Sequence, residues 1–167
     1  MDVFNNKLYV EDSSRGFIIE IFDLSGDKLS YIQKPYEKMS ISSDFKKRTM
    51  DFIQNDSVIK AQGGWDAVKD KVSVNFPSDF PPIQEMSVTG NRIYIQTYKE
   101  KNNNIEYIIM DLNGKILKRV YLPRFEDVTV TGKLLGARLH VIYNGKLYNV
   151  SEDEENECWV LNIQEIK

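Results

Sequence analysis

The residues best suited to chemistry in this chain are few. His140 is its one histidine and the one side chain whose ordinary pKa lies near neutrality. It stands in the apolar run Leu139-His140-Val141-Ile142-Tyr143, where it could act as an acid or base lining a channel. With no second histidine and no assigned carboxylate partner, a structural role is the better reading. Glu152, Asp153 and Glu154, with Glu155 and Glu157 following, could offer oxygen ligands to a hard cation. They lack the alternating Asp/Asn loop with its glycine, so a solvated hairpin tip is favoured over a metal site. Trp65, Tyr94, Tyr98, Tyr107, Tyr121 and Tyr148 could form a stacking platform for a sugar or peptide. Recurring positions on strands fit packing between sheets better. Trp65 is the best platform member, and with Tyr98 and His140 it makes up the candidate ligand-binding set. Cys158 beside Trp159 reads as a small core residue, not a nucleophile. No phosphate-binding loop, dinucleotide glycine fingerprint, Gly-x-Ser-x-Gly or His-Glu-x-x-His occurs. Neither a catalytic set nor a cofactor is therefore expected.

The elements that would position these residues follow from self-similarity. Asn6-Lys7-Leu8-Tyr9-Val10, Asn91-Arg92-Ile93-Tyr94-Ile95 and Gly145-Lys146-Leu147-Tyr148-Asn149-Val150 match. Each is followed, after a polar stretch, by a second apolar run: Phe17 to Phe22, Tyr107 to Met110 and Cys158 to Ile163. Alternation of β-branched or aromatic residues with polar ones is the period of a half-buried strand. Asp23-Leu24-Ser25-Gly26 and Asp111-Leu112-Asn113-Gly114 supply the turns. The middle unit is complete, with strands expected over residues 83–89, 92–100, 105–111 and 115–122. The first unit shows no convincing strand before Lys7, and the last ends without a fourth strand. Meanders in series, each too small to bury its own faces, point to β-propeller blades. A plain sandwich is the alternative.

The interval from Tyr9 to Tyr94 exceeds that from Tyr94 to Tyr148 by about thirty residues. That excess is an insertion between Pro35 and Pro82 with a helical period. Phe45, Thr49, Phe52 and Ile53 share one face of a helix that Ser43 could cap, and Trp65, Val68 and Val72 suggest a second after Gly63-Gly64. Phe45, Phe52, Ile53 and Trp65 should be buried, with both helices over a blade rim. Pro77, Pro81 and Pro82 then end helical structure. The expected organisation is a mainly β chain of about three four-stranded blades: residues 1–35, a helical insertion at 36–82, then 83–123 and 124–167.

The string Asn75-Phe76-Pro77-Ser78-Asp79-Phe80-Pro81-Pro82-Ile83, followed by Arg92 to Tyr98 and by Met110-Asp111-Leu112-Asn113-Gly114-Lys115, resembles the later blades of bacterial six-bladed β-propellers of NHL or TolB-like architecture. The ending from Glu157 to Lys167 is similar to that family's C-terminus. The resemblance implies the C-terminal half of a propeller and, through the family's export or lipoprotein signals, an extracytoplasmic location. It defines no activity.

The 22 Lys and Arg against 25 Asp and Glu leave a formal charge of −3. No basic field attracts nucleic acid, and no apolar run approaches the ~20 residues that span a bilayer. In an antiparallel meander one rim carries the tight turns, and the other carries the long tips 11–16, 99–104 and 151–156, the insertion and the loop after Pro123. Binding residues concentrate on such loops. A non-enzymatic module binding a protein, peptide or carbohydrate through this rim is the leading expectation. The alternative is a hydrolase or lyase with an axial site completed by blades absent from this chain. Two open blade faces should need covering, by the remaining half of a propeller or by a second copy in a homodimer.

Overall fold

A computed structural model describes residues 1–123, 140–153 and 155–166. These fall into two compact units, one of residues 1–38, 81–123 and 140–166, the other of residues 39–80.

The first unit consists of three antiparallel meanders. Strands β1 (Asp2–Phe4), β2 (Lys7–Glu11), β3 (Phe17–Asp23) and β4 (Lys28–Lys34) make the first sheet. Strands β5 (Glu85–Thr89), β6 (Arg92–Lys101), β7 (Asn104–Asp111) and β8 (Ile116–Pro123) make the second. Strands β9 (His140–Tyr143), β10 (Lys146–Asp153) and β11 (Cys158–Glu165) make the third. Among the described residues the strands of each sheet lie side by side in sequence order, and none of the sheets closes on itself. The four strands expected over 83–122 are present within two residues at each boundary. The first sheet, however, is complete: Asp2 to Phe4 pairs with Lys7 to Tyr9. A three-residue strand is too short to show alternation, which is why the sequence conceals it.

Register explains the resemblance among the units. Lys7 faces Asp23, Arg92 faces Asp111 and Lys146 faces Glu165. Two rungs on, Tyr9 faces Ile21, Tyr94 faces Ile109 and Tyr148 faces Ile163. The side-chain period of two then puts each Tyr–Ile rung on the face opposite to its neighbouring Leu8–Phe22, Ile93–Met110 or Leu147–Gln164 rung. Accordingly, Ile93, Ile95, Ile108 and Met110 pack with Tyr9, Phe17, Ile19, Ile21 and Ile32 of the first sheet. Tyr94, Tyr107, Ile109 and Leu122 pack on the other face, with Ile142, Leu147 and Ile166. The second sheet is thus buried on both faces, between the first and the third.

The first strands of successive sheets adjoin, β1 beside β5 and β5 beside β9. An outer strand of a meander has unpaired N–H groups, and Asp2 supplies a partner for one: its Oδ2 accepts from the Val88 amide at 2.7 Å. The tight turns are built alike. Asp23 Oδ1 accepts from the amides of Ser25 and Asp27, and Asp111 Oδ1 from those of Asn113 and Lys115, all at 2.9 Å. Gly26 and Gly114 complete these turns at φ of +92° and +82°.

The second unit contains α1 (Ser43–Asn55), α2 (Ser57–Ala61) and α3 (Trp65–Val68). Ser42, not Ser43, caps α1, accepting from the Phe45 amide at 3.1 Å. Asp56 ends α1 and caps α2 through the Val58 amide. The expected second helix is one turn long and stops before Val72, and α2 was not foreseen. The unit's two ends are clasped by the Phe80 amide donating to Met39 O, the Ile41 amide donating to Ser78 O, and Ser40 Oγ donating to Asp79. Phe45 meets the Phe80 ring edge-on, centroids 4.8 Å apart. Phe45, Ile53 and Trp65 are half-buried. Phe52 is 46% exposed, which overturns its expected burial. The Phe80 ring, far along the chain, packs on α1 and selects Phe45 from the apolar stripe, not Phe52.

Candidate functional site

The polar residues that the fold gathers lie at the end of the second sheet that carries the β6–β7 tip. There the ladder is irregular. Gln96 pairs with Tyr107 and Glu100 with Ile105, so Thr97, Tyr98 and Lys99 lie opposite the single Glu106. Such a bulge re-aims side chains and leaves backbone groups to be satisfied locally. Thr97 Oγ1 does this, accepting from the Lys99 amide at 3.2 Å while donating to Glu106 Oε2 at 3.0 Å.

The bulge serves two clusters on opposite faces of the sheet. On the face toward the first sheet, the Glu106 side chain is only 6% exposed and takes a charge-assisted bond at 3.0 Å from Arg119 Nη1 on β8. A carboxylate withdrawn from water this far requires such partners. On the face toward the third sheet, Tyr107 donates from its hydroxyl to Gln96 Oε1 at 2.5 Å, and His140 Nε2 lies 3.4 Å from the same hydroxyl. Burial pushes the Tyr107 phenol far above its ordinary pKa of 10, and the negative charge of Glu85 at the start of β5 adds to the shift. Tyr107 is therefore a neutral hydroxyl throughout the physiological range. It can orient the His140 imidazole by hydrogen bonding, but it cannot act as a phenolate base.

The residues singled out from sequence separate as follows. His140 lies in a strand, β9, as its apolar neighbours led one to expect, and joins Tyr107 and Gln96. Tyr98 sits in the bulge of the same sheet, half-buried, its phenol raised by burial. Trp65 belongs to the helical unit, half-buried at the start of α3. Tyr94 and Tyr107 are core residues between the second and third sheets, so they form no open platform. Tyr121 is exposed, and Tyr148 is half-buried.

At the acidic tip, Asp153 Oδ1 accepts from the amides of Glu155 and Asn156, and Oδ2 from the Asn156 side chain. The Asn156 side chain chiefly holds the Asp153 carboxyl below its ordinary range. This carboxylate shapes a hairpin turn. The side chain of Glu152 and the whole of Glu154 lie outside the described residues. Among the described residues, no group of three His, Cys, Asp or Glu side chains is placed to hold a metal ion.

Cys158 is exposed, contrary to its expected core position. It is the first residue of β11, opposite Asp153 at the hairpin tip, where the sheet gives way to water.

Sequence reading missed Gln96, Thr97, Glu106 and Arg119, and it missed Asp2. A signal exists for Glu106 alone: it lies in the run Ile105-Glu106-Tyr107-Ile108-Ile109, where an acid needs an internal partner. No helix of the described residues is long and apolar enough to cross a membrane. Compared with known proteins, the chain matches no family model, no curated protein and no solved structure.

Proposed function

We propose that the three sheets are consecutive propeller-type blades, and that the chain is a non-enzymatic binding module engaging a peptide, protein or carbohydrate through the rim that bears the β6–β7 tip. The observation that carries this reading is the β6–β7 bulge, which holds Tyr98 and Lys99 half-buried at that end of the second sheet and is braced from beneath by the buried polar cluster of Gln96, Tyr107 and His140. Fixed hydrogen-bonding groups on rigid strands next to long tips are what a recognition site uses. Support for the blade reading comes from the stacking of three meanders through alternate faces, with their first strands adjoining. The resemblance of the Asn75 to Ile83 string to exported bacterial propellers favours action outside the cytoplasm.

A hydrolase or lyase is the alternative reading, in which the His140 imidazole beside the Tyr107 hydroxyl would supply the acid or base. Retention of the phenolic proton removes one candidate base.

The test is an amide-resolved NMR titration of the chain with a panel of oligosaccharides and short peptides, alongside assays for hydrolysis of the same compounds. Shifts centred on Glu85, Thr97 to Lys101, Asn104 to Tyr107 and His140, without turnover, are expected. Shifts confined to the opposite turns at Asn5-Asn6, Gly90-Asn91 and Asn144-Gly145 would reject the rim. Turnover abolished by His140→Gln would reject the non-enzymatic role.

A further inference from the structure

The third sheet presents an apolar face to water whose counterparts in the other two sheets are buried. The Tyr–Ile rung defines that face. In the first sheet it carries Tyr9, Ile21, Ile19 and Phe17, and in the second Tyr94, Ile109 and Tyr107, all buried against the following sheet. In the third the same rung is Tyr148–Ile163, followed on the same face by Val150–Leu161 and then by Trp159. Trp159 is 65% exposed, Leu161 58% and Ile163 57%, and Val141, paired with Tyr148, is exposed as well. The residue types suit a sheet-on-sheet core, and two such interfaces already exist within the unit.

What covers the corresponding faces is informative. Each is covered by the opposite face of the next meander, the one bearing Ile93–Met110 in the second sheet and Leu147 in the third. The described residues carry one more face of that kind. On the first sheet it consists of Leu8–Phe22, Val10–Glu20 and Ile18, with Val3 and Tyr31 as its exposed members. Glu20 within it is neutralised by Lys28 and Arg15, at 2.7 and 2.6 Å.

We infer that the third sheet of one copy docks on the first sheet of a second copy, and that two such contacts related by a two-fold axis join the copies into a closed dimer of six stacked sheets. This rests on the blade reading of the sheets and not on the binding role of the rim. Size supports it. Three strands at ~4.8 Å spacing and eight residues at ~3.3 Å rise give each face a plane of roughly 14 by 26 Å. Two faces per copy then approach the ~800 Å² per partner of a stable interface. The contact is heterologous, since different patches meet, and the two-fold closure is what prevents an open fibre.

The test is light scattering of the whole chain at tens of micromolar, with two charge substitutions at exposed positions. The expected mass is twice 19.4 kDa. Ile163→Lys on the third sheet and Tyr31→Asp on the first should each give monomers, raising the dissociation constant at least tenfold. Both positions are exposed in the single chain, so circular dichroism should retain the β spectrum. Should Ile163→Lys unfold the chain, Leu161→Gln replaces it. An equimolar mixture of the two variants retains one intact pair of faces and should recover a dimer. A monomeric unsubstituted chain overturns the inference, as does growth into polydisperse species. A dimer lost with Ile163→Lys but untouched by Tyr31→Asp also overturns it, because the third sheets would then pair with each other.

Discussion

Gly26 and Gly114 occupy the same place in two turns with the same Asp-centred hydrogen bonds and nearly the same φ, yet alanine should affect them very differently. At both positions a Cβ meets the left-handed backbone penalty of roughly 1–2 kcal/mol. Restricting the unfolded chain offsets about 0.4–1 kcal/mol of it. Gly26→Ala should therefore cost about 0.5–1 kcal/mol, since nothing lies within 4 Å of its added carbon. At Gly114 the new carbon would stand 2.5 Å from Ile32 Cγ2, 3.1 Å from its Cγ1 and 3.3 Å from its Cδ1. Ile32 is a branched side chain locked in the core between the first and second sheets, so it cannot swing away as a surface side chain would. Overpacking of this kind adds about 1–3 kcal/mol. The Gly114 variant should thus be about 1–3 kcal/mol the less stable of the two, several degrees in Tm for a chain of this size. Urea unfolding of both variants measures the difference as a shift in midpoint at constant m. Ile32→Ala in the Gly114→Ala background should then show a favourable coupling above about 1 kcal/mol. Equal stability of the two alanine variants, or an uncoupled double variant, would refute the close packing of this turn against the first sheet.

Three further outcomes are expected. Asp2→Ala leaves the Val88 amide without its carboxylate and should destabilise by about 1–3 kcal/mol; unchanged protection of that amide in hydrogen exchange would contradict the pairing. Arg119→Ala removes the cation from a buried carboxylate, but Arg119 is itself 47% exposed. The loss should accordingly fall near 1–3 kcal/mol, below the ~3–5 of a fully buried pair, and Glu106→Gln in the same background should recover part of it in chemical denaturation. The Tyr107 phenol has its folded pKa raised above the unfolded value of 10, so the stability it confers is complete below pH 10 and declines as pH rises beyond that value. Tyr107→Phe should flatten this alkaline decline, and a slope in stability against pH identical to that of the unsubstituted chain would refute the assignment.

Strand positions were legible because alternation and register are both properties of local sequence. The Lys/Arg to Asp/Glu rung, the Tyr–Ile rung and the turns beside them are fixed by residues a few positions apart. Faces followed too, since period two leaves no freedom once Ile93 and Ile95 are known to be buried together. Features decided by long-range partners were hidden. Phe45 packs through Phe80, and α1 alone offers no reason to prefer it over Phe52. β1 exists because Asp2 to Phe4 finds β2 and because Asp2 reaches Val88, neither of which three residues can advertise.

The candidate site shows the same division more sharply. His140 could be placed in a strand from its apolar neighbours, but its partner could not be named, because Tyr107 meets it only through the stacking of two different sheets. Glu106 depends on a count that alternation does not make. Its carboxylate is held where it is because three residues of β6 face one of β7, which lets Thr97 donate to it while still accepting from Lys99. Alternation alone reads Thr97 and Lys99 as successive members of one face and Tyr98 as the other. The inserted residues break that inference at the place where the polar groups collect, and bulges are over-represented next to active sites, where they re-aim side chains. The irregularity that defeats the sequence pattern is therefore itself an argument for function at this end of the second sheet, and it makes Thr97 to Lys99 the segment in which binding should first be sought.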